Sequence, residues 1–153
     1  MANTDRCVCC GAIVPEGRHV CAGCVKRWVW IEETAGIRVY RYTVPHIPNG
    51  LNRYLGRENK WEYREEKKRW LEYARIFFRD KPPKPLERAE VEIHYYFKDN
   101  RRRDPDNYCG KVILDGLTKC GIIADDSMQV IKLKISGSKD AKNPRTEMTV
   151  KEL

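Results

Sequence analysis

Arginines and aspartates bracket one short apolar segment of the chain. Residues 101–107 read RRRDPDN, and a second aspartate pair, Asp125 and Asp126, follows the apolar segment. Asp104 and Asp106 stand two residues apart, so both carboxylates can face one hard cation. The later pair supplies a third carboxylate if the chain folds back. Oxygen ligands of this kind suit Mg²⁺ and leave room for phosphate oxygens and water, so the pattern indicates a candidate magnesium site.

The same residues also allow a purely structural interpretation. Asp104 can cap a helix over residues 105–119, with Pro105 at its first position. This interpretation leaves unexplained both the three arginines before the turn and the aspartate pair after the helix. Composition alone leaves the two alternatives open.

A cysteine-rich stretch at the N-terminus is the second candidate for metal chemistry. Residues 7–24 read CVCCGAIVPEGRHVCAGC, in which Cys7 and Cys10 form one CxxC pair and Cys21 and Cys24 another. Four thiolates complete a closed tetrahedral shell, which is typical of structural Zn²⁺. So short a loop cannot build a core, so the metal would supply its folding energy. The alternative is a redox-active or incidental thiol cluster.

Charge and hydropathy limit the class of protein. The chain has 153 residues and a formal charge of +8, which favours association with nucleic acid or an anionic surface. No apolar run reaches the ~18 residues of a membrane span, and no signal peptide is visible, so we expect a cytoplasmic protein with no membrane partner. The cysteine distribution predicts a zinc-binding head and connector at 1–36 and a larger domain at 37–153.

Hydrophobic periodicity predicts four strands and two helices in the larger domain. The strands are expected at 37–44, 88–98, 128–136 and 145–152, and the helices at 57–79 and 105–119. The charged first half of the earlier helix, EYREEKKR, is expected to face solvent. The order βαβαββ predicts an α/β (α+β) fold, in which a mixed sheet is covered by two helices.

Taken together, these motifs resemble one known family. The resemblance is carried by RRRDPDN, the following lysine, LDGLTKCGIIADDSMQV and, more weakly, PNGLNRY at 48–54. These motifs are similar to those of the RusA-type Holliday junction resolvases, the crossover junction endodeoxyribonucleases. The family pattern is a basic run, Asp-x-Asp-Asn, a lysine, an Asp-x-Leu segment, a glycine and an Asp-Asp pair before a strand. The resemblance covers residues 37–152 and leaves out the cysteine-rich head.

The resemblance implies roles for particular residues. The catalytic, Mg²⁺-binding aspartates fall on Asp104, Asp106 and Asp126, and the active-site lysine falls on Lys111. Lys111 stands five residues after Asp106 instead of the family's four, so a π-bulge near Gly110 or a later helix start must absorb one residue. The expected DNA-binding residues are Lys98, Arg101, Arg102, Arg103, Asn52 and Arg53.

The implied function is Mg²⁺-dependent hydrolysis of phosphodiester bonds at four-way DNA junctions, in recombination and repair. The family is homodimeric, and two symmetric cuts suit a two-fold dimer. Two alternatives remain: a nuclease for other branched DNA, and a non-catalytic, zinc-dependent DNA-binding protein. The acidic triad argues against the second alternative, because a protein that only binds DNA has no use for carboxylates facing phosphate.

Overall fold

The computed structural model describes residues 4–6, 13–15, 36–55 and 60–153. The chain divides into two compact units, Met1–Glu32 and Glu33–Leu153. In the first unit, β1 (Thr4–Arg6) pairs antiparallel with β2 (Ile13–Pro15). The predicted zinc ligands and most of the predicted connector lie outside the described residues: Cys7, Cys10, Cys21, Cys24 and residues 25–35.

The second unit has the predicted order of elements, βαβαββ. Its strands are β3 (Val39–Val44), β4 (Ala89–Phe97), β5 (Ile131–Lys139) and β6 (Arg145–Glu152), and its helices are α1 (Trp61–Phe77) and α2 (Lys111–Lys119). A short 3₁₀ turn at Leu51–Arg53 follows β3. The predicted α+β class, a mixed sheet with two helices, is therefore confirmed.

The sheet is mixed because one of its connections is a crossover. The strand order is β3-β6-β4-β5, and β4 pairs parallel with β5 whereas the other neighbours are antiparallel. Parallel neighbours cannot be joined by a tight turn, so the chain must cross over between them. That crossover, residues 98–130, contains α2 together with both groups of candidate catalytic aspartates.

One face of the sheet lies against the hydrophobic core. Along β4, Val91, Ile93 and Tyr95 are buried while Glu92 between them is exposed, which is the two-residue period of a half-buried strand. The helices complete the same core with apolar residues at helical spacing. These are Trp70, Ala74 and Phe78 at and after α1, and Ile113, Leu114 and Leu117 on α2.

The start of α2 differs from the sequence prediction. A helix from residue 105 is wrong: residues 105–108 form a turn, and α2 begins at Lys111. Gly110 is the N-cap residue and has a φ of 76°, a left-handed conformation that glycine adopts without steric cost. Asp104 therefore does not cap α2. The later helix start takes up the additional residue between Asp106 and Lys111, so no π-bulge is needed.

The position of β5 also differs from the sequence prediction: the strand lies at Ile131–Lys139 instead of 128–136. The N–H groups of Val130 and Ile131 both donate to the carbonyl of Ser127, so a turn occupies the predicted strand start. The polar end of β5 remains a strand because it pairs with β4, up to Lys139 opposite Phe97. Tertiary pairing thus overrides the turn-like composition of residues 136–139.

Gly116 permits a close contact between α1 and α2 within one chain. A Cβ atom added at Gly116 would lie 3.0 Å from the Cβ of Ala74 and 3.5 Å from the ring of Phe78. Glycine at this position therefore allows the two helices to pack closely. Within the described part of the chain, no helix is both long and apolar enough to cross a membrane.

Candidate active site

Two candidate ligands lie on one tight turn after β4. The N–H of Asn107 donates to the carbonyl of Asp104 at 3.0 Å, which closes the turn, and also contacts Oδ1 of Asp106 at 2.9 Å. Asp104 and Asp106 are both exposed. This turn, Asp104–Asn107, is the carboxylate turn, because it presents two carboxylates to solvent.

The loop at residues 48–54 braces this turn. Asn107 accepts two hydrogen bonds from it, one from Leu51 N–H to the carbonyl at 2.9 Å and one from Asn52 N–H to Oδ1 at 2.7 Å. A Cβ atom at Gly50 would lie 2.6 Å from the Asn107 amide, so the approach requires glycine there. Asn52 thus holds the turn through its backbone, and its side chain is exposed.

Lys111 joins the start of α2 to the returning chain. Its Nζ lies 2.7 Å from Oδ2 of Asp126 and 3.0 Å from Oδ1 of Asp115, one helical turn later. The hydrogen bonds to Asp126 and Asp115 raise the pKa of the Lys111 ammonium above its ordinary value. Lys111 is therefore a fixed positive charge at neutral pH.

Asp115 is itself shared between two lysines. Lys67, from α1, lies 3.0 Å from Oδ2 of Asp115, while Lys111 contacts the other oxygen. Burial raises the pKa of the Asp115 carboxyl, but its contacts with Lys67 and Lys111 lower it by more, so the group is ionised at neutral pH. Four side chains of alternating charge form one chain, Lys67–Asp115–Lys111–Asp126.

Two of the three predicted aspartates pair with cationic side chains. Asp126 lies against Lys111, and Oδ1 of Asp104 lies 3.2 Å from Nε of Arg102. Among the residues with described side chains, no group of three or more His, Cys, Asp or Glu is arranged to hold a metal ion. The donor set is nevertheless chemically suitable for Mg²⁺, because Asp104, Asp106 and Asp126 all offer hard carboxylate oxygens.

The three arginines of the basic run have different environments. Arg103 is 20% exposed: its guanidinium donates to Asp99 at 2.7 Å and lies 4.0 Å from the centre of the Phe97 ring. Arg101 and Arg102 have 85% and 90% of their side-chain surface exposed. Lys98 is exposed as well. Arg103 therefore anchors the loop, and its neighbours present their charges to solvent.

The basic loop is formed by residues 98–103. A cleft of about 260 Å³ opens beside it. It lies between the loop and the ends of β4 and β5, and its lining includes Phe97, Tyr108, Arg103, Asp104, Ser138 and Lys139. Arg53, on the bracing loop, pairs with Glu62 of α1 at 3.5 Å. The basic loop and the carboxylate turn are thus parts of the crossover between β4 and β5, and the bracing loop is hydrogen-bonded to that turn.

The charged half of α1 takes part in this arrangement, contrary to its predicted solvent-facing role. Glu66 is 4% exposed and accepts the N–H of Asn49 at 3.0 Å, which holds the bracing loop. The sequence carried a signal for Glu66, because it precedes the buried Trp70 and Ala74 at intervals of four residues. No sequence signal identifies Lys67, since its contact with Asp115 arises only when α1 packs on α2.

Comparison with known proteins agrees with this geometry. Residues 46–151 match the model of the family described as endodeoxyribonuclease RusA. The match spans the bracing loop, the basic loop, the carboxylate turn, α2 and the returning aspartate pair. No curated protein matches the chain.

Proposed function

The chain belongs to the RusA family of endodeoxyribonucleases, and from this we propose that it resolves four-way DNA junctions by paired, symmetric, Mg²⁺-dependent cuts. The observations that carry the proposal are the contact of Lys111 with Asp126 and the Asp104–Asn107 turn, both within the matched segment. We place this activity in DNA recombination and repair, in the cytoplasm.

The proposed metal ligands are Asp104, Asp106 and Asp126. Bound Mg²⁺ would supply a Lewis acid that lowers the pKa of water and stabilises charge on phosphate oxygens. The bracing loop limits the freedom of the first two carboxylates because it holds Asn107 at two atoms. Such preorganisation lowers the cost of assembling the site when substrate binds.

Lys111 would act on the phosphate group of the phosphodiester bond that is cleaved. Its ammonium group remains charged at neutral pH, and one helical turn and the returning chain fix its position. A fixed positive charge beside the carboxylates stabilises negative charge that develops on the phosphate in the transition state. Lys111 is thus the proposed electrostatic catalyst.

Exposed basic and amide side chains would follow the DNA backbone on either side of this centre. Arg101, Arg102 and Lys98 extend from the basic loop, and Asn52 and Arg53 lie on the bracing loop. Arg103 would support them by holding the loop on Phe97. A homodimer is the proposed assembly, because two identical centres related by a two-fold axis match two symmetric cuts.

The deciding experiment is cleavage of a synthetic four-way junction by the full chain, with Mg²⁺ and with EDTA. Each of the four strands is labelled in turn, and products are mapped at nucleotide resolution. We expect paired cuts in opposite strands at symmetric positions, only with Mg²⁺. Replication forks and flaps serve as comparison substrates. Preference for those substrates would assign a different branched-DNA nuclease, and cleavage of none would overturn the nuclease proposal.

The basic loop gives a prediction for salt dependence. Replacing Arg101 and Arg102 together by Ala should weaken binding to every junction sequence about equally, because phosphate contacts carry no base identity. Each lost contact flattens the slope of log K against log salt by about 0.9, so we expect a loss of about 1.8 units. Binding is measured by titration at several salt concentrations. Exposed arginines of α1, Arg64 and Arg75, provide a control pair whose replacement should leave the slope unchanged.

The N-terminal head gives a prediction for metal content. With Cys7, Cys10, Cys21 and Cys24 as ligands, the purified chain should contain about one zinc per molecule, the stoichiometry of a four-thiolate site. Changing Cys21 and Cys24 to Ser should remove the metal and leave the unfolding transition of the nuclease domain in place. Elemental analysis and thermal unfolding make these measurements. If the whole chain unfolds in a single thermal transition, and that transition is lost when zinc is removed, the two parts are not separate domains.

A further inference from the structure

We propose that Lys67 of α1 is a positioning residue, which keeps Lys111 directed at Asp126 and at the phosphate group of the bond that is cleaved. The inference rests on the proposed nuclease function and adds to it a residue outside the recognised motifs. Lys67 contacts Asp115 and not Asp126, the candidate metal ligand at the other end of the chain of alternating charges. It acts on Lys111 only through Asp115.

The burial of Asp115 makes its partners important. Its side chain is 21% exposed, and Oδ2, the atom facing Lys67, is buried and lacks a well-aligned hydrogen bond. The ion pair with Lys67 at 3.0 Å is therefore the compensation that the structure provides for this oxygen. A buried carboxylate oxygen without a partner is costly, so the carboxylate would turn to the remaining cation.

That remaining cation is Lys111. Its ammonium group lies between two carboxylates, at 2.7 Å from Asp126 and 3.0 Å from Asp115. With Lys67 paired to Asp115, the shorter contact of Lys111 is with Asp126. Without Lys67, the unpaired charge of Asp115 would draw the Lys111 ammonium group toward the C-terminal end of α2. Lys111 would then lie away from the position where it can contact a phosphate.

The position of Lys67 is itself fixed. Its Nζ lies 5.6 Å from the centre of the Tyr63 ring, one helical turn earlier, so the ammonium group has a second favourable contact on α1. The packing of Gly116 against Ala74 keeps α1 and α2 close together. The distance from Lys67 to Asp115 is thus set by the helix contact.

The chain offers a matched control in the next residue. Lys68 has the same charge on the same helix, but pairs with Glu65 at 3.0 Å, one turn earlier on α1. Replacement by Met removes the charge of either lysine and keeps most of the side-chain length. Any effect of net charge on DNA binding is therefore common to both variants.

The kinetic test compares Lys67→Met, Lys67→Arg and Lys68→Met on the junction substrate. We expect Lys67→Met to lower kcat about tenfold, a change in barrier of ~1.4 kcal/mol, with KM changed less than about twofold. Lys67→Arg should restore most of the rate, and Lys68→Met should resemble wild type. A rise in KM alone would overturn the inference, because it would make Lys67 a DNA contact.

A double-mutant cycle tests whether Lys67 works through Asp115. In an Asp115→Asn background, Lys67→Met should have no further effect on kcat, because the charge that it balances is gone. Equal effects of Lys67→Met in both backgrounds would contradict the proposed route. Thermal unfolding of each variant separates a change in Lys111 position from a loss of fold.

A second readout does not depend on activity. ¹⁵N NMR of the lysine ammonium groups, with the Lys111 signal identified by its loss in Lys111→Met, reports the environment of Nζ directly. Lys67→Met should shift the Lys111 signal, and Lys68→Met should not. An unchanged Lys111 signal overturns the inference whether or not the protein cuts DNA. If the wild-type chain cuts no branched DNA but the signal shifts, only the proposed function fails.

Discussion

Replacement of Asp104 by Asn is expected to abolish junction cleavage while junction binding is kept or becomes tighter. The change removes a proposed Mg²⁺ ligand, and it also removes one negative charge that repels phosphate. Loss of a metal-derived stabilisation of several kcal/mol corresponds to a fall in rate of at least about a hundredfold. Single-turnover cleavage and equilibrium binding, measured on the same labelled junction, give the two quantities.

The result depends on a control with the same change in net charge. Glu65→Gln serves, because Glu65 lies on α1 and pairs with Lys68 rather than with a residue of the candidate site. It should cleave at the wild-type rate. If Asp104→Asn instead loses binding and cleavage together, with a lower melting temperature, the carboxylate supports the turn and the magnesium proposal fails at this residue.

The elements that sequence predicts well are those whose pattern is decided locally. Burial alternates along β6 from Arg145 to Lys151, and the observed strand at Arg145–Glu152 is the predicted one. The stripe of Trp70 and Ala74 likewise identifies α1. In both elements, side-chain periodicity alone separates a buried face from an exposed one.

The elements that sequence misplaces are those whose ends depend on partners far along the chain. The polar residues Ser136–Lys139 extend β5 because β4 pairs with them, and Asp104 forms a turn rather than a helix cap because Asn107 is held by the bracing loop. Neither partner is visible in the local pattern. The zinc ligands lie in the part of the chain outside the described residues, so that prediction awaits its measurement.

The candidate site shows the same division. Spacing and family resemblance single out Asp104, Asp106, Lys111 and Asp126, and the structure brings Lys111 and Asp126 into direct contact. Resemblance could not supply the surrounding ion pairs, since these need the packing of α1 on α2. The charged first half of α1, which sequence places in solvent, holds the bracing loop through Glu66 and contacts Asp115 through Lys67.

Replacement of Lys111 by Met should lower the cleavage rate by about a hundredfold or more, which corresponds to ~2.7 kcal/mol or more of lost transition-state stabilisation. Equilibrium binding of the junction should change only a few-fold, because one phosphate contact among several is lost. The fold should survive, since the Lys111 side chain is 44% exposed and its ion pairs are screened by water.

Lys119→Met is the matched control, because Lys119 is exposed at the other end of α2 and carries the same charge. Its replacement should leave the cleavage rate near that of wild type. The pH profile adds a further check. The pKa of Lys111 lies above its ordinary value of 10.5, so the ammonium group stays protonated between pH 6 and 9. Its titration should therefore not limit the cleavage rate in that range. A Lys111→Met variant that cleaves at the wild-type rate would remove the lysine from the mechanism. The carboxylates would then be the only catalytic groups that the resemblance carries over to this chain.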